Sequence, residues 1–193
     1  MEVKGRKHVN NLLYQLQRMF TYLQLSERSD YNPEGFCYTF KPNINVGVQE
    51  DAQEFLNSII EKLEATLKGT PYSHLLRDVF GGKTISTMTC QSCSKPRYNA
   101  EEFRSILLEI KEKKTMLESL NRFIEKESIS EFYCEECGGR GEMIKETHLH
   151  TLPNILIVHL QRIVFDLEVM ENRKIHTKFE FSMNINLKDF LRR

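Results

Sequence analysis

Apolar residues recur at helical spacing through residues 11–25, at Leu12, Leu13, Leu16, Met19, Phe20 and Leu23, with no Gly or Pro inside the run. That pattern predicts an amphipathic helix with one buried face. Residues 26–48 then collect Pro33, Gly35, Pro42, Asn43 and Gly47, which reads as loop and short turns. A second stripe of Ala52, Phe55, Leu56, Ile59, Ile60, Leu63 and Leu67 predicts a longer helix, stopped by Gly69 and Pro71. Glu50, Asp51 and Glu54 lie in its first turns, where the helix dipole favours negative charge. A short helix over residues 73–80 is predicted to end at Gly81-Gly82.

After the glycine pair the period changes from helix to strand. Residues 83–89 read as a strand, and residues 103–110 alternate through Ile106, Leu108 and Ile110. Leu117, Leu120 and Phe123 mark another short helix over residues 115–123. Residues 142–149 return as a strand. The run Ile155-Leu156-Ile157-Val158-His159-Leu160 is apolar at nearly every position and predicts a strand buried on both faces, with His159 a core histidine. Strict alternation of Phe179, Phe181, Met183, Ile185 and Leu187 predicts a last strand. Helices first and strands later make the fold class α+β.

Two cysteine pairs change this picture. Cys90-Gln91-Ser92-Cys93 and Cys134-Glu135-Glu136-Cys137 are C-x-x-C knuckles, and a tight two-residue spacer lets both sulfurs of a pair reach one ion. The long stretch between them places the knuckles at the tips of separate hairpins that meet across a gap. Four thiolates close a tetrahedral shell, so the expected zinc is structural rather than catalytic. Lys95, Arg97 and Arg140 lie near enough in sequence to offset the negative charge. Cys37, between aromatic residues, reads as a buried structural thiol.

Composition narrows the functional classes. The 193 residues carry 27 Lys+Arg against 27 Asp+Glu, with 40% hydrophobic and 28% charged residues, as in ordinary globular chains. Zero net charge and the acidic Glu135-Glu136 argue against a zinc-ribbon nucleic-acid binder. No apolar run approaches the roughly 18 residues of a membrane span. The first residues lead into no export signal, so a cytoplasmic or nuclear protein is expected, not a secreted one. With four cysteines assigned to metal, only Cys37 remains as a nucleophile. Of His8, His74, His148, His150, His159 and His176, none completes a catalytic constellation with it; His148 and His150 read as the exposed face of a strand.

Several segments together resemble the catalytic domain of the ubiquitin-specific proteases, the papain-like cysteine deubiquitinases. Gln49-Glu50-Asp51-Ala52-Gln53-Glu54-Phe55-Leu56 is similar to the family's Q-Q-D-A-Q-E-F-L helix start, departing at Glu50. The knuckles match its zinc-ribbon fingers in order and spacing. Leu152-Pro153 through Arg162 is similar to L-P-x-x-L-x-x-H-L-K-R-F, with Gln161 for Lys and Ile163 for Phe. The stretch from Lys174 to Leu187 is similar to K-x-x-x-x-F-x-F-P-x-x-L-D-L, with Ser182 for Pro and Asn186 for Asp. The first helix with Tyr31-Asn32-Pro33-Glu34-Gly35-Phe36 resembles the large, multi-domain branch.

The resemblance implies a partial thumb, palm and fingers: a helical thumb portion at 1–80, zinc-ribbon fingers at 81–150 and incomplete palm strands at 151–193. It implies ubiquitin as partner, with Asp51 accepting hydrogen bonds from ubiquitin's C-terminal tail and Gln49 beside it; from the composition, no membrane or nucleic-acid partner is expected. The complete domain would hydrolyse the bond after ubiquitin's terminal glycine. The family's G-x-T-C-x-x-N box does not precede the Asp51 helix here. Its H-x-G-x-x-x-x-G-H-Y segment, with the Asn or Asp that orients the base, does not occur before Arg193. No catalytic residue carries over, and the isolated chain is expected to be inactive. The alternative is a non-catalytic ubiquitin-binding zinc module.

Overall fold

The structure is a computed structural model that describes residues 11–41 and 51–192. The chain divides into two compact units, 1–76 and 77–193. No described helix is long and apolar enough to cross a membrane.

In the first unit, α1 (Leu12–Leu25) starts at Asn11, whose side chain accepts from the Tyr14 amide. Helix α2 (Glu34–Phe40) forms where loop was expected. The Asn32 side chain accepts from the Glu34 amide, and Phe36 and Phe40 bury themselves against Leu12 of α1 and Leu63 of α3 (Ala52–Leu67). Aromatic burial thus overrides the turn-forming composition. The Phe40 ring meets Phe55 edge-on at 4.9 Å. Lys62 donates to the Phe40 carbonyl while its ammonium lies 4.3 Å from that ring's centroid. Cys37 packs half-buried against this same cluster. Helix α1 buries only its first turns; Phe20 and Leu23, expected on the buried stripe, are exposed.

Helix α4 (Leu75–Phe80) leads through Gly81 into the second unit. There β1 (Gly82–Cys90), β2 (Pro96–Phe103), β4 (Glu127–Cys134) and β5 (Gly139–Thr151) form an antiparallel sheet in the order β2-β1-β5-β4. At its root the Phe103 ring lies over Gly82, where a Cβ would stand only 2.3 Å from the ring. Between the two hairpins the chain makes β3 (Ser105–Glu109) and α5 (Met116–Ile124). Helix α5 is capped by the Thr115 hydroxyl on the Glu118 amide. Strand β3 pairs in parallel with β6 (Ile157–Gln161), and β7 (Ile163–Asp166) forms a hairpin with β8 (Glu171–Lys174).

The main core lies at the sheet's root: Ile106 and Leu108 from β3, Leu120 from α5, Leu149 from β5, and Phe190. Ile106 and Leu108 face inward as their alternation predicts, whereas β6 is half-buried at every residue, His159 included. Among the described residues its one ladder partner is β3, so β6 keeps an open edge.

The expected last strand is absent from the described residues. Residues 179–187 make a single bridge, Glu180 with Thr115, and Phe181 and Met183 are exposed. Ser182 Oγ accepts from the Asn184 amide and Asn186 Oδ1 from the Lys188 amide, so local side-chain turns displace the ladder. A short 3-10 turn, Lys188–Phe190, follows and inserts Phe190 into the core. Beyond it the Arg192 amide donates to the Leu149 carbonyl, and the Arg192 guanidinium reaches Thr87 Oγ1 at 2.7 Å. Glu146 on the same sheet face lies 2.6 Å from Lys126 and 4.0 Å from Arg192. The hydrogen bond from Lys126 holds its carboxyl below the usual range.

Candidate metal centre

Hairpins β1–β2 and β4–β5 carry the two knuckles at the same end of the sheet. The ladder sets this alignment: Cys90 stands opposite Met143 in β5, and Cys134 opposite Gly139. All four sulfurs, of Cys90, Cys93, Cys134 and Cys137, lie within 4.8 Å of one another. Across the gap Cys90 Sγ is 4.0 Å from Cys137 Sγ and Cys93 Sγ 3.9 Å from Cys134 Sγ. Zinc–sulfur bonds of about 2.3 Å in a tetrahedron require sulfur–sulfur edges of ~3.8 Å, whereas a disulfide needs about 2.05 Å. The spacing fits the ion, and all five cysteines are free thiols.

Both knuckles are the same backbone device. The Ser94 amide donates to the Cys90 carbonyl and the Gly138 amide to the Cys134 carbonyl, each at 2.8 Å. The residue after each second cysteine is left-handed, Ser94 at φ 56° and Gly138 at φ 68°. Glycine adopts that conformation freely and serine does not. Ser94→Gly is therefore expected to stabilise the tip by roughly 0.5–1 kcal/mol, and Gly138→Ala to destabilise it similarly. Thermal melts of the two variants check this.

The electrostatics also ask for a cation. Amides of Cys93 and Ser92 directed at Cys90 draw its thiol down to about 6. Cys137 is pushed up to about 11, because contact with Cys134, desolvation and contact with Cys90 and Cys93 outweigh the opposing Gly139 amide. Four thiols sharing so small a volume cannot all ionise unless a metal compensates them. Beneath them Met143, with Met88 and Phe132, forms a small apolar cluster with Cys90 and Cys134.

The basic residues expected to neutralise the site pair instead with the acidic residues between the second two cysteines. Lys95 Nζ lies 2.8 Å from Glu136 and an Arg97 nitrogen 3.3 Å from Glu135. Glu136 raises the Lys95 pKa through that hydrogen bond, and Cys93 and Cys134 add to the effect; the Glu136 carboxyl is lowered in return. Arg140 stands on β5 opposite Tyr133. Neither the pairing partners nor the left-handed Ser94 was predicted from the sequence, although the matching position of Gly138 in the second knuckle is the signal that points to Ser94.

The other sequence-derived site is the start of α3. Asp51 is exposed, and its Oδ1 accepts from the amides of Gln53 at 2.8 Å and Glu54 at 3.0 Å, an N-cap. Gln49 lies outside the described residues. Of the strand histidines, His148 is half-buried, 3.8 Å from Glu146, and the His150 ring is 3.1 Å from the Arg192 carbonyl.

The family profile "UCH: Ubiquitin carboxyl-terminal hydrolase" matches residues 1–193. Ubiquitin carboxyl-terminal hydrolase puf of Drosophila melanogaster is 31% identical over 190 residues, which is 95% of this chain and 5% of that protein. Human ubiquitin carboxyl-terminal hydrolase 34 is 32% identical over 198 residues, 96% of this chain and 5% of that protein. The chain thus spans about one-twentieth of the length of these relatives. Among solved structures, the SAGA Ubp8/Sgf11/Sus1/Sgf73 DUB module bound to ubiquitin aldehyde matches with a TM-score of 0.80 and 26% identity, over 98% of this chain and 45% of that one. The same module bound to monoubiquitin matches at 0.81 and 28%, over 97% of this chain and 45% of that one. A profile match along the whole sequence, and a mixed helix-and-sheet fold shared with a deubiquitinating module, make this chain a member of the ubiquitin carboxyl-terminal hydrolase family.

Proposed function

We propose that this chain is the ubiquitin-gripping, zinc-stapled central part of a ubiquitin-specific protease domain. Residues 1–80 supply part of the thumb, 81–150 the fingers and 151–193 strands of the palm. The observation that carries the reading is the convergence of four sulfurs, at tetrahedral spacing, on the tip of one four-stranded sheet. Cys90, Cys93, Cys134 and Cys137 hold a structural zinc, whose closed shell ties the two hairpins together and leaves no position for water. Asp51, with Gln49 beside it, accepts hydrogen bonds from ubiquitin's C-terminal tail; charge-assisted bonds of this kind are among the stronger ones. The complete domain hydrolyses the bond after ubiquitin's C-terminal glycine by cysteine chemistry, in the cytoplasm or nucleus. The 193-residue chain alone is inactive. Four of its thiols face one another at the tip, and Cys37 packs into the helical cluster.

Titration with ubiquitin, followed by calorimetry, tests the grip, and ubiquitin-rhodamine with a thiol-reactive ubiquitin probe tests the inactivity. Saturable binding without turnover or labelling is the expected result. Two substitutions separate the capping role of Asp51 from its ubiquitin role. Asp51→Asn keeps a good N-cap and is expected to leave the melting temperature unchanged while weakening ubiquitin binding severalfold. Asp51→Ala is expected to cost about 1 kcal/mol of stability as well. Equal ubiquitin affinity of Asp51→Asn and the unsubstituted chain would leave the carboxylate with its capping role alone.

A further inference from the structure

The two cysteine knuckles are joined by more than their sulfurs. Each residue between Cys134 and Cys137 has a basic partner on the other hairpin: Glu135 meets Arg97 at 3.3 Å and Glu136 meets Lys95 at 2.8 Å. The Gln91 amide also donates across the gap to the Glu142 carbonyl at 3.0 Å. Simple charge compensation does not account for this pattern. A zinc ion with four thiolates carries two net negative charges, and two glutamates set between the ligands make the tip still more negative. Were neutralisation the purpose, Lys95 and Arg97 would serve better without acidic partners. What the glutamates add is attachment, because each fixes a cation of the opposite hairpin to the second knuckle.

We propose that Lys95–Glu136 and Arg97–Glu135 form an inter-hairpin clasp that pre-aligns the four thiols, so that these side chains, none of them a ligand, set how tightly the tip holds zinc. The clasp consists of protein atoms only and brings the two hairpin ends together without the ion. Zinc then meets a site whose closure has largely been completed, and the ordering cost that would weaken its binding is reduced. The inference rests on the zinc reading above and adds positioning residues to it.

Charge reversal separates a clasp from charge compensation, because the two make opposite demands on Glu136. Zinc affinity is measured by chelator competition for the unsubstituted chain, Lys95→Glu, Glu136→Lys and the double variant with both changes. A clasp requires each single variant to bind zinc about two- to fivefold more weakly, the range of an exposed ion pair, and the exchanged pair to return to within twofold of the starting affinity. High salt is expected to shrink the differences. Glu136→Lys binding zinc as tightly as, or more tightly than, the unsubstituted chain would overturn the clasp, as would a double variant no better than the singles.

Hydrogen exchange of the Gln91 amide in the metal-free chain gives a reading independent of zinc. It is expected to accelerate in both single variants and recover in the exchanged pair; unchanged exchange counts against the clasp. A chain that takes up no zinc at all removes the metal assignment, while this exchange measurement still decides whether the clasp exists.

Discussion

Cys90→Ser and Cys137→Ser are expected to abolish stoichiometric zinc and to loosen the tip of the four-stranded sheet more than any surface substitution. Beyond the inter-hairpin ion pairs and the end of the β1–β5 ladder, the tip has little else to hold it. Its apolar cluster is centred on Met143 and is built partly from Cys90 and Cys134 themselves, so two of the sulfurs proposed as donors also serve as core. Apparent binding energies of roughly 10–16 kcal/mol are typical of structural zinc, far above what a few partly buried side chains supply. Removing the metal with a chelator is expected to free the Ser94 and Gly138 amides to exchange, because their acceptors lie within the knuckles. Strands β3 and β6, with their own ladder at the far end of the unit, keep their protection. Metal analysis of the two serine variants checks the assignment directly, and unchanged zinc content would refute it.

Leu149→Ala is expected to cost about 3–5 kcal/mol, the range for emptying a fully buried leucine site. Leu149 is 0% exposed and belongs to β5, yet it packs with Ile106, Leu108, Leu120 and Phe190. It is the point at which the long strand is rooted in the main core, and its carbonyl also receives the Arg192 amide. Urea denaturation is expected to show a lower midpoint with an unchanged slope, since the damage is a cavity and not a looser native state. Zinc content should stay near that of the unsubstituted chain, because the knuckles are at the opposite end of β5. A loss below 1 kcal/mol would mean that the root repacks.

Most of the architecture is legible in the sequence because its signals are local. Asn11, Asp51 and Thr115 cap the helices whose apolar periods start just after them. The cysteine pairs announce both the four-sulfur cluster and the two-hairpin layout, since C-x-x-C permits little besides a tight turn. Strand β2 gives no such signal: Pro96-Arg97-Tyr98-Asn99-Ala100-Glu101 lacks alternation, and its pairing with β1 is imposed by the hairpin. The failures share a cause. Phe179 to Leu187 alternates like a strand, but Ser182 and Asn186 turn the backbone locally and a single bridge remains. Helix α2 looks like a loop until Phe36 and Phe40 find Leu12 and Leu63, partners distant in sequence. The inter-hairpin ion pairs were illegible for the same reason: no local pattern tells Lys95 that Glu136 will lie beside it.

The placement of β3 and α5 between the two hairpins has a kinetic corollary. Hairpins β1–β2 and β4–β5 each close through short connections and can form early. Joining them is slower, for the contact of Ser86 with Thr147 spans 61 positions of chain. Until β5 docks along β1, a metal ion can meet at most one sulfur pair. On the proposed zinc site, capture of the complete four-coordinate ion is thus a late event in refolding, and its rate reports the zippering of the central strands.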